Sequence, residues 1–222
     1  MLESYLLRRA ILNLPTKNYN RIFLGLTRTM RRDGTSPENL QKALLGLSGE
    51  STEWPTDEAF HHAWRTQHAY RTLQNPKIVH VLRRLNDTYL NNKSEQINIE
   101  CPLTVEHLMP QQWIEHWPLP DGSKGMTFDE LIMAEKDDPR ALATNSREAV
   151  LQTFGNLTIL TQALNSSVSN SAWNDKKPAL LTASLLPINQ QLHKAQEWNE
   201  DAIAQRSEEL FARALQVWPK PA

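Results

Sequence analysis

Residues 103–111 read LTVEHLMPQ, and residues 154–165 read FGNLTILTQALN. In the first segment a short apolar run ends at Glu106 and His107, and Pro110 follows. Because proline cannot donate to a strand ladder and biases the residue before it toward extended geometry, we expect a strand that ends near Glu106 or His107. The side chains of both residues then lie at the rim of the sheet.

The second segment predicts a strand that leads into a helix. Gly155 and Asn156 form a turn signal, residues 157–160 alternate as a strand does, and the small and polar residues after them suit a helix start. Together the two segments predict a strand, a loop, a second strand and a helix. The polar residues of this unit are Glu106, His107, Asn156 and Asn165.

This arrangement resembles the HNH nuclease motif, the ββα-metal finger. In that motif an acid–His pair near a proline lies on the first strand, Gly-Asn opens the second, and Asn or His lies on the following helix. More narrowly, the chain is similar to the nuclease half of GmrSD-like modification-dependent restriction enzymes. The similarity covers nearly the whole chain, and it is carried by residues 2–6, 15–21, 54–60, 106–111, 155–161, 164–170 and 173–176.

The resemblance implies a role for each polar residue. His107 is expected to be the general base, Asn156 to fix the loop that carries His107, and Glu106 and Asn165 to ligate Mg²⁺ or Mn²⁺. A neutral imidazole can take a proton from water near pH 7, and a divalent ion can bind the phosphate and the leaving oxygen. The family often has His at the third position; the amide oxygen of Asn165 suits Mg²⁺ better than Zn²⁺. Further candidates, for phosphate contact, are Asn170, Lys176 and Lys177.

Each of these residues taken alone has a plainer interpretation. Glu106 and His107 can be a surface pair at a strand end, Gly155-Asn156 an ordinary turn, and Asn165 a helix cap. Their combination, with Asn165 nine residues after Asn156 (165 − 156), favours the nuclease site.

The charge of the chain is unevenly distributed. The net charge is −1, but residues 1–32 hold seven Lys or Arg and one Glu (7 − 1 = +6), which leaves −7 (−1 − 6) for the rest. Such asymmetry is typical of a surface that faces a polyanion, although a solvated helix face balanced by acids elsewhere explains it equally well. The candidates for DNA contact are Arg8, Arg9, Arg28, Arg31 and Arg32.

Periodicity and capping signals predict an α+β fold that is mainly helical, and the resemblance implies that a ββα-metal HNH finger is embedded in it. We expect a helical N-terminal part (1–95), a nuclease core (96–180) with an insertion (112–150), and a C-terminal helical part (181–222) that packs on the core. Ile97 and Ile99 alternate with polar residues, which predicts a strand before residue 103. Helices are predicted over 2–14, 19–33, 37–47, 56–70, 75–89, 128–136, 147–152 and 199–218.

The composition excludes several classes of protein. Cys101 is the single cysteine, so the chain has no disulfide framework and no Cys-based zinc site, which fits a cytoplasmic location. No apolar run approaches the ~18–20 residues of a membrane span, and no leader or Gly-rich phosphate loop is present. The helical pattern that already contains Met1 predicts a fragment of a longer protein.

We therefore expect a cytoplasmic, metal-dependent DNA endonuclease that nicks or cleaves phosphodiester bonds as the effector of an antiphage restriction system. The resemblance implies an upstream partner domain that binds nucleotide and senses DNA modification. The lack of a long apolar run predicts no association with a membrane. Two alternatives remain open at this point: a non-catalytic helical module that binds DNA or protein and carries a decayed nuclease motif, or an RNase.

Overall fold

The computed structural model describes residues 1–95 and 99–221. Within these ranges the chain forms twelve α-helices and one two-stranded sheet, which confirms the mainly helical α+β fold. In chain order the elements are α1 (Leu2–Ile11), α2 (Tyr19–Asp33), α3 (Pro37–Leu45), α4 (Asp57–Thr66), α5 (Ala69–Thr72), α6 (Asn75–Asp87), β1 (Leu103–His107), α7 (Phe128–Met133), α8 (Pro139–Leu151), β2 (Leu157–Thr161), α9 (Gln162–Val168), α10 (Trp173–Ala183), α11 (Pro187–Gln190) and α12 (Glu200–Val217).

Local capping sets several of the helix boundaries. The Ser36 hydroxyl accepts from the amide of Asn39 at the start of α3, and the Thr56 hydroxyl accepts from the amide of Ala59 at the start of α4. These bonds satisfy amides that have no partner within the helix. At the end of α2, Gly34 adopts a φ of 96°, which glycine tolerates and other residues rarely do. The end of α2 predicted at residue 33 and the start of α3 predicted at residue 37 are confirmed, and α4 starts one residue after the predicted position 56.

Other boundaries differ from the prediction. The helix predicted over 56–70 ends at Thr66, because Gln67 is extended and breaks it before α5. The helix predicted over 147–152 begins at Pro139, where the Asp138 carboxylate accepts from two backbone amides. Helix α10 was not predicted, since it contains Pro178, a residue that usually marks the end of a helix.

The sheet joins β1 and β2 in an antiparallel pair. Leu103 is opposite Thr161, His107 is opposite Leu157, and the register is regular between them. Helix α9 follows β2 directly, so the predicted order of strand, loop, strand and helix is confirmed. Of the strand predicted before residue 103, Ile97 lies outside the described residues and Ile99 is in no strand.

The main core contains residues from both ends of the chain. It joins apolar side chains of α1, α4, α6, both strands and α12 in one cluster, from Leu7 to Trp218. A second cluster lies around Trp113, Trp173 and Trp198. The boundaries 1–95, 96–180 and 181–222 stay a prediction. None of the helices in the described ranges is both long and apolar enough to cross a bilayer.

Helix α12 packs against the turn that precedes β2. A Cβ atom on Gly155 would lie 2.3 Å from the backbone oxygen of Ile203, so only glycine permits this approach. Nη1 of the buried Arg206 donates to the carbonyls of Gly155 and Leu157, each at 2.8 Å. The Gly-Asn signal therefore marks a packing contact as well as a turn.

Candidate active site

His107 is the last residue of β1 and is only 6% exposed. Its Nε2 lies 2.9 Å from Oε1 of Gln152, and its ring meets Tyr70 edge-on with centroids 4.6 Å apart. Burial lowers the pKa of His107 from 6.5 to about 4. The imidazole is therefore neutral at pH 7, which is the form that can accept a proton.

Asn156 is fully buried and holds the chain that follows His107. Its Nδ2 donates to the carbonyls of Met109 (2.8 Å) and Leu151 (2.9 Å). Its Oδ1 accepts from the amide of Met109 (2.8 Å) and from Nε1 of Trp198 (3.0 Å). Because both polar groups of Met109 bond to one side chain, Asn156 fixes the loop two residues beyond the histidine.

Glu106 lies in a buried ion pair. Nζ of Lys176, from α10, donates to Oε1 of Glu106 at 2.6 Å and to the carbonyl of His107 at 2.9 Å. Burial raises the pKa of Glu106 and lowers the pKa of Lys176, while the attraction between the two charges opposes both shifts. Lys176 thus ties α10 to the end of β1.

Asn165, on α9, is oriented by its contacts with β1. Its Nδ2 donates to Oγ1 of Thr104 at 2.9 Å and to the carbonyl of Val105 at 3.1 Å. An amide nitrogen has two hydrogens, and both are used here. Its Oδ1 therefore points away from these bonds and has no partner among the described residues, beside the strand that carries Glu106.

Glu106 and His107 leave β1 on opposite sides, as successive residues of a regular strand do. Glu106 faces α9 and α10, through Lys176, whereas His107 faces Tyr70 and Gln152. No bulge changes this alternation within the β1–β2 pair. The two side chains therefore lie at the same end of the strand but on opposite faces of the sheet.

The donor set at this rim suits one kind of metal ion. Among the described residues, no three His, Cys, Asp or Glu side chains cluster so as to hold a metal. One carboxylate (Glu106) and one amide oxygen (Asn165) remain, and these are hard oxygen donors. Mg²⁺ needs only one or two protein oxygens and completes its octahedron with water and phosphate, so the two donor types suit Mg²⁺, and a Mg²⁺ site formed by these two residues stays a prediction.

A comparison with models of known protein families gives a match that covers most of the chain. Residues 54–213, which are 160 of the 222 residues (213 − 54 + 1), match the family described as GmrSD restriction endonucleases, C-terminal domain. The chain belongs to this family. A comparison with curated proteins returned no match. Glu106, His107, Asn156 and Asn165 all lie within the matched range.

The GmrSD-type domain uses its lysines differently from the sequence-based expectation. Lys176 was predicted to contact phosphate, which is wrong for this structure, because its side chain is fully buried and both of its bonds are internal. Lys177 is half-buried and donates to the carbonyl of Ala195 at 2.6 Å. Asn170 is exposed and donates to Oε1 of Gln112 at 3.1 Å. For Lys177 and Asn170, contact with phosphate stays a prediction.

Two of the five candidate arginines are not available to DNA. Arg8 is fully buried and donates to the carbonyls of Trp218 and Pro55, and it pairs with Asp57 at 2.6 Å. Arg9 is fully buried and donates to backbone carbonyls of residues 15, 50, 51 and 53. Their assignment to DNA is wrong, because both guanidinium groups are enclosed by carbonyls of this domain. The exposed candidates are Arg28, Arg31 and Arg32, of which Arg32 pairs with its neighbour Asp33.

Several residues of the site could not be found from the sequence. Gln152 and Tyr70 contact the His107 ring, and Trp198 bonds to Asn156. Gln152 lies only three residues before Gly155 (155 − 152), which was the one usable signal. Tyr70 and Trp198 are distant in sequence, so only the tertiary structure of the GmrSD-type domain reveals them.

Proposed function

We propose that this domain is an HNH-type, Mg²⁺- or Mn²⁺-dependent endonuclease that cuts phosphodiester bonds of DNA. The observation that supports it best is a neutral, buried histidine at the last position of β1, with a carboxylate beside it and an amide oxygen on the helix that follows β2. Membership of the GmrSD restriction endonuclease family makes DNA the expected substrate.

In the proposed mechanism His107 accepts the proton of the attacking water. Burial keeps its ring unprotonated at neutral pH, and Asn156 holds the loop after it through both polar groups of Met109. Glu106 and Asn165 would hold the divalent ion, which supplies charge neutralisation at the phosphate and the leaving oxygen when bound. Lys176 holds the Glu106 carboxylate in place through the bond from its Nζ to Oε1.

The decisive experiment is a plasmid-nicking assay with Mg²⁺ or Mn²⁺ and an EDTA control. We expect His107→Ala to lower the rate by ~10²–10⁴-fold, which is the usual contribution of a general base. His116→Ala is the matched control, because His116 is exposed in the insertion. Circular dichroism verifies that both variants remain folded.

Two results would contradict the proposal. Undiminished nicking by folded H107A would remove the histidine from the mechanism. Binding of DNA with no cutting under any divalent ion would favour the non-catalytic module instead. We also propose that the domain is the effector of a restriction system and acts with a nucleotide-binding, modification-sensing partner domain. The family description, which names a C-terminal domain, supports this part of the proposal.

A further inference from the structure

We propose that Gln152 is a positioning residue that selects the tautomer of His107. It holds the hydrogen on Nε2, so that Nδ1 is the nitrogen that accepts the proton from water. This inference rests on the proposed role of His107 as general base, and it names the reacting atom and the residue that determines it.

The geometry that carries the inference is a short contact between two buried side chains. Gln152 is 1% exposed and His107 is 6% exposed, and the Gln152 Oε1 to His107 Nε2 distance is 2.9 Å. A carbonyl oxygen can only accept a hydrogen bond, so Nε2 must be the donor. In a neutral imidazole the other nitrogen then carries the lone pair.

Nδ1 is the nitrogen left for chemistry. It has no hydrogen-bond partner within the described part of the chain. Because it is also not one of the fully buried nitrogen and oxygen atoms without a partner, Nδ1 is not fully enclosed by protein. Tyr70 contacts the ring edge-on, which limits how the ring can turn. The lone pair of Nδ1 is therefore fixed in direction before substrate arrives, which is what a general base requires.

The far end of the Gln152 amide has its own partner. The Nε2 atom of Gln152 donates to Oε1 of Gln111, 3.3 Å away, in the segment that follows β1. If the amide were reversed, Gln152 would donate to His107 and the hydrogen would move to Nδ1, which would then be no base. The two orientations of the amide thus predict opposite chemistry for His107 and can be separated by experiment.

One short segment controls both the ring and the backbone of the histidine. Gln152 ends α8 and holds the ring, and Asn156, four residues later, holds the loop beyond His107. Both residues are buried. Gln152 lies three residues before Gly155 in sequence, although its side chain contacts a different part of the site from that of Asn156.

Substitutions at Gln152 distinguish an acceptor from a donor. In Gln152→Glu the group that faces Nε2 can still accept a hydrogen bond, whereas in Gln152→Met the side chain can neither accept nor donate one. We expect Q152E to nick plasmid within about tenfold of the native rate. We expect Q152M to lose ~10² in kcat with an unchanged KM for DNA, because the ring loses both its fixed tautomer and its fixed direction, and a misplacement of about 1 Å can cost ~10²-fold. Gln205→Met, at an exposed position of α12, is the matched control.

A spectroscopic measurement tests the tautomer without any activity. Long-range ¹⁵N–¹H NMR of the ¹⁵N-histidine protein in EDTA shows which nitrogen carries the hydrogen, and His107→Gln assigns the signal. We expect the hydrogen on Nε2 in the native protein. In Q152M we expect a mixture of the two tautomers.

Hydrogen on Nδ1 in the native protein, or Q152E as inactive as Q152M while folded, would overturn the inference. The NMR result stands even if a Gln152 variant does not fold. If H107A still nicks DNA, the proposed function fails, whereas the tautomer measurement remains valid. The two failures are therefore distinguishable.

Discussion

Replacing Lys176 by methionine should destabilise the metal-free domain strongly. The lysine side chain is 0% exposed and the Glu106 side chain 10%, and their charged atoms are 2.6 Å apart. With an effective dielectric constant of about 20, two unit charges at this distance attract by about 6 kcal/mol. Methionine has a similar volume but leaves the Glu106 carboxylate and the His107 carbonyl without their donor. Removing one member of a buried pair costs ~3–5 kcal/mol, and we expect a loss in this range.

The measurement is urea unfolding at pH 7 in EDTA, followed by circular dichroism. A loss of about 4 kcal/mol corresponds to a fall in Tm of roughly 8–16 °C for a domain of this size. Lys124→Met is the matched control, because Lys124 pairs with Glu115 at 3.0 Å while both side chains are more than half exposed. Surface pairs of this kind contribute less than about 1 kcal/mol, so K124M should unfold almost as the native domain does.

The double variant K176M/E106Q separates the charge from the packing. It leaves no buried charge, so it should be more stable than K176M alone by at least about 1 kcal/mol. If Glu106 also binds Mg²⁺, saturating Mg²⁺ recovers part of the loss in K176M and none in the double variant. A loss in K176M below about 1 kcal/mol, or a double variant less stable than K176M, would refute the argument that this ion pair is buried and coupled.

Three further results are expected. Because burial lowers the pKa of His107 from 6.5 to about 4, the unfolded chain binds more protons than the folded one between these values; stability is therefore complete above pH 6.5 and falls toward pH 4, by about 3 kcal/mol. Urea unfolding in EDTA at pH 7 and pH 4.5 should show this fall, and H107Q should show less of it; equal falls would contradict the assignment. Asn156→Ala leaves four buried hydrogen-bonding groups without their partner. It should therefore lower the free energy of unfolding by at least about 3 kcal/mol in the same assay, whereas a loss below about 1 kcal/mol would show that water replaces the amide. The double variant Arg28→Ala/Arg31→Ala should flatten the slope of log affinity for duplex DNA against log salt by about 2. Arg8→Met should leave this slope unchanged and lower the free energy of unfolding, because Arg8 is buried. An unchanged slope in the double variant would mean that Arg28 and Arg31 belong to a solvated face and do not contact DNA.

The sequence by itself determined the elements that depend on neighbours in the chain. Ser36 and Thr56 start their helices and Gly34 ends one, because a cap bonds to amides two or three residues away and a positive φ is a property of one residue. The order of β1, β2 and α9 followed from the run before Pro110 and from the Gly-Asn turn. Family resemblance then related four polar residues across 59 positions (165 − 106).

The tertiary structure decided which charged residues are available for function. Arg8 and Arg28 both belong to a basic, helical segment, yet one is fully buried and the other is exposed. The difference arises from the carbonyls of Pro55 and Trp218, which come from distant parts of the chain and replace the water around the Arg8 guanidinium. Such a contact has no local pattern in the sequence.

The same reason applies to the site around His107. The sequence indicates that a histidine ends a strand, but its pKa depends on how completely water is excluded from the ring, and its tautomer depends on which atom faces Nε2. Tyr70 and Gln152 provide these conditions from 37 and 45 residues away in the chain (107 − 70 and 152 − 107). Burial and hydrogen bonding between distant residues exist only in the folded chain, so they became visible only in the structure.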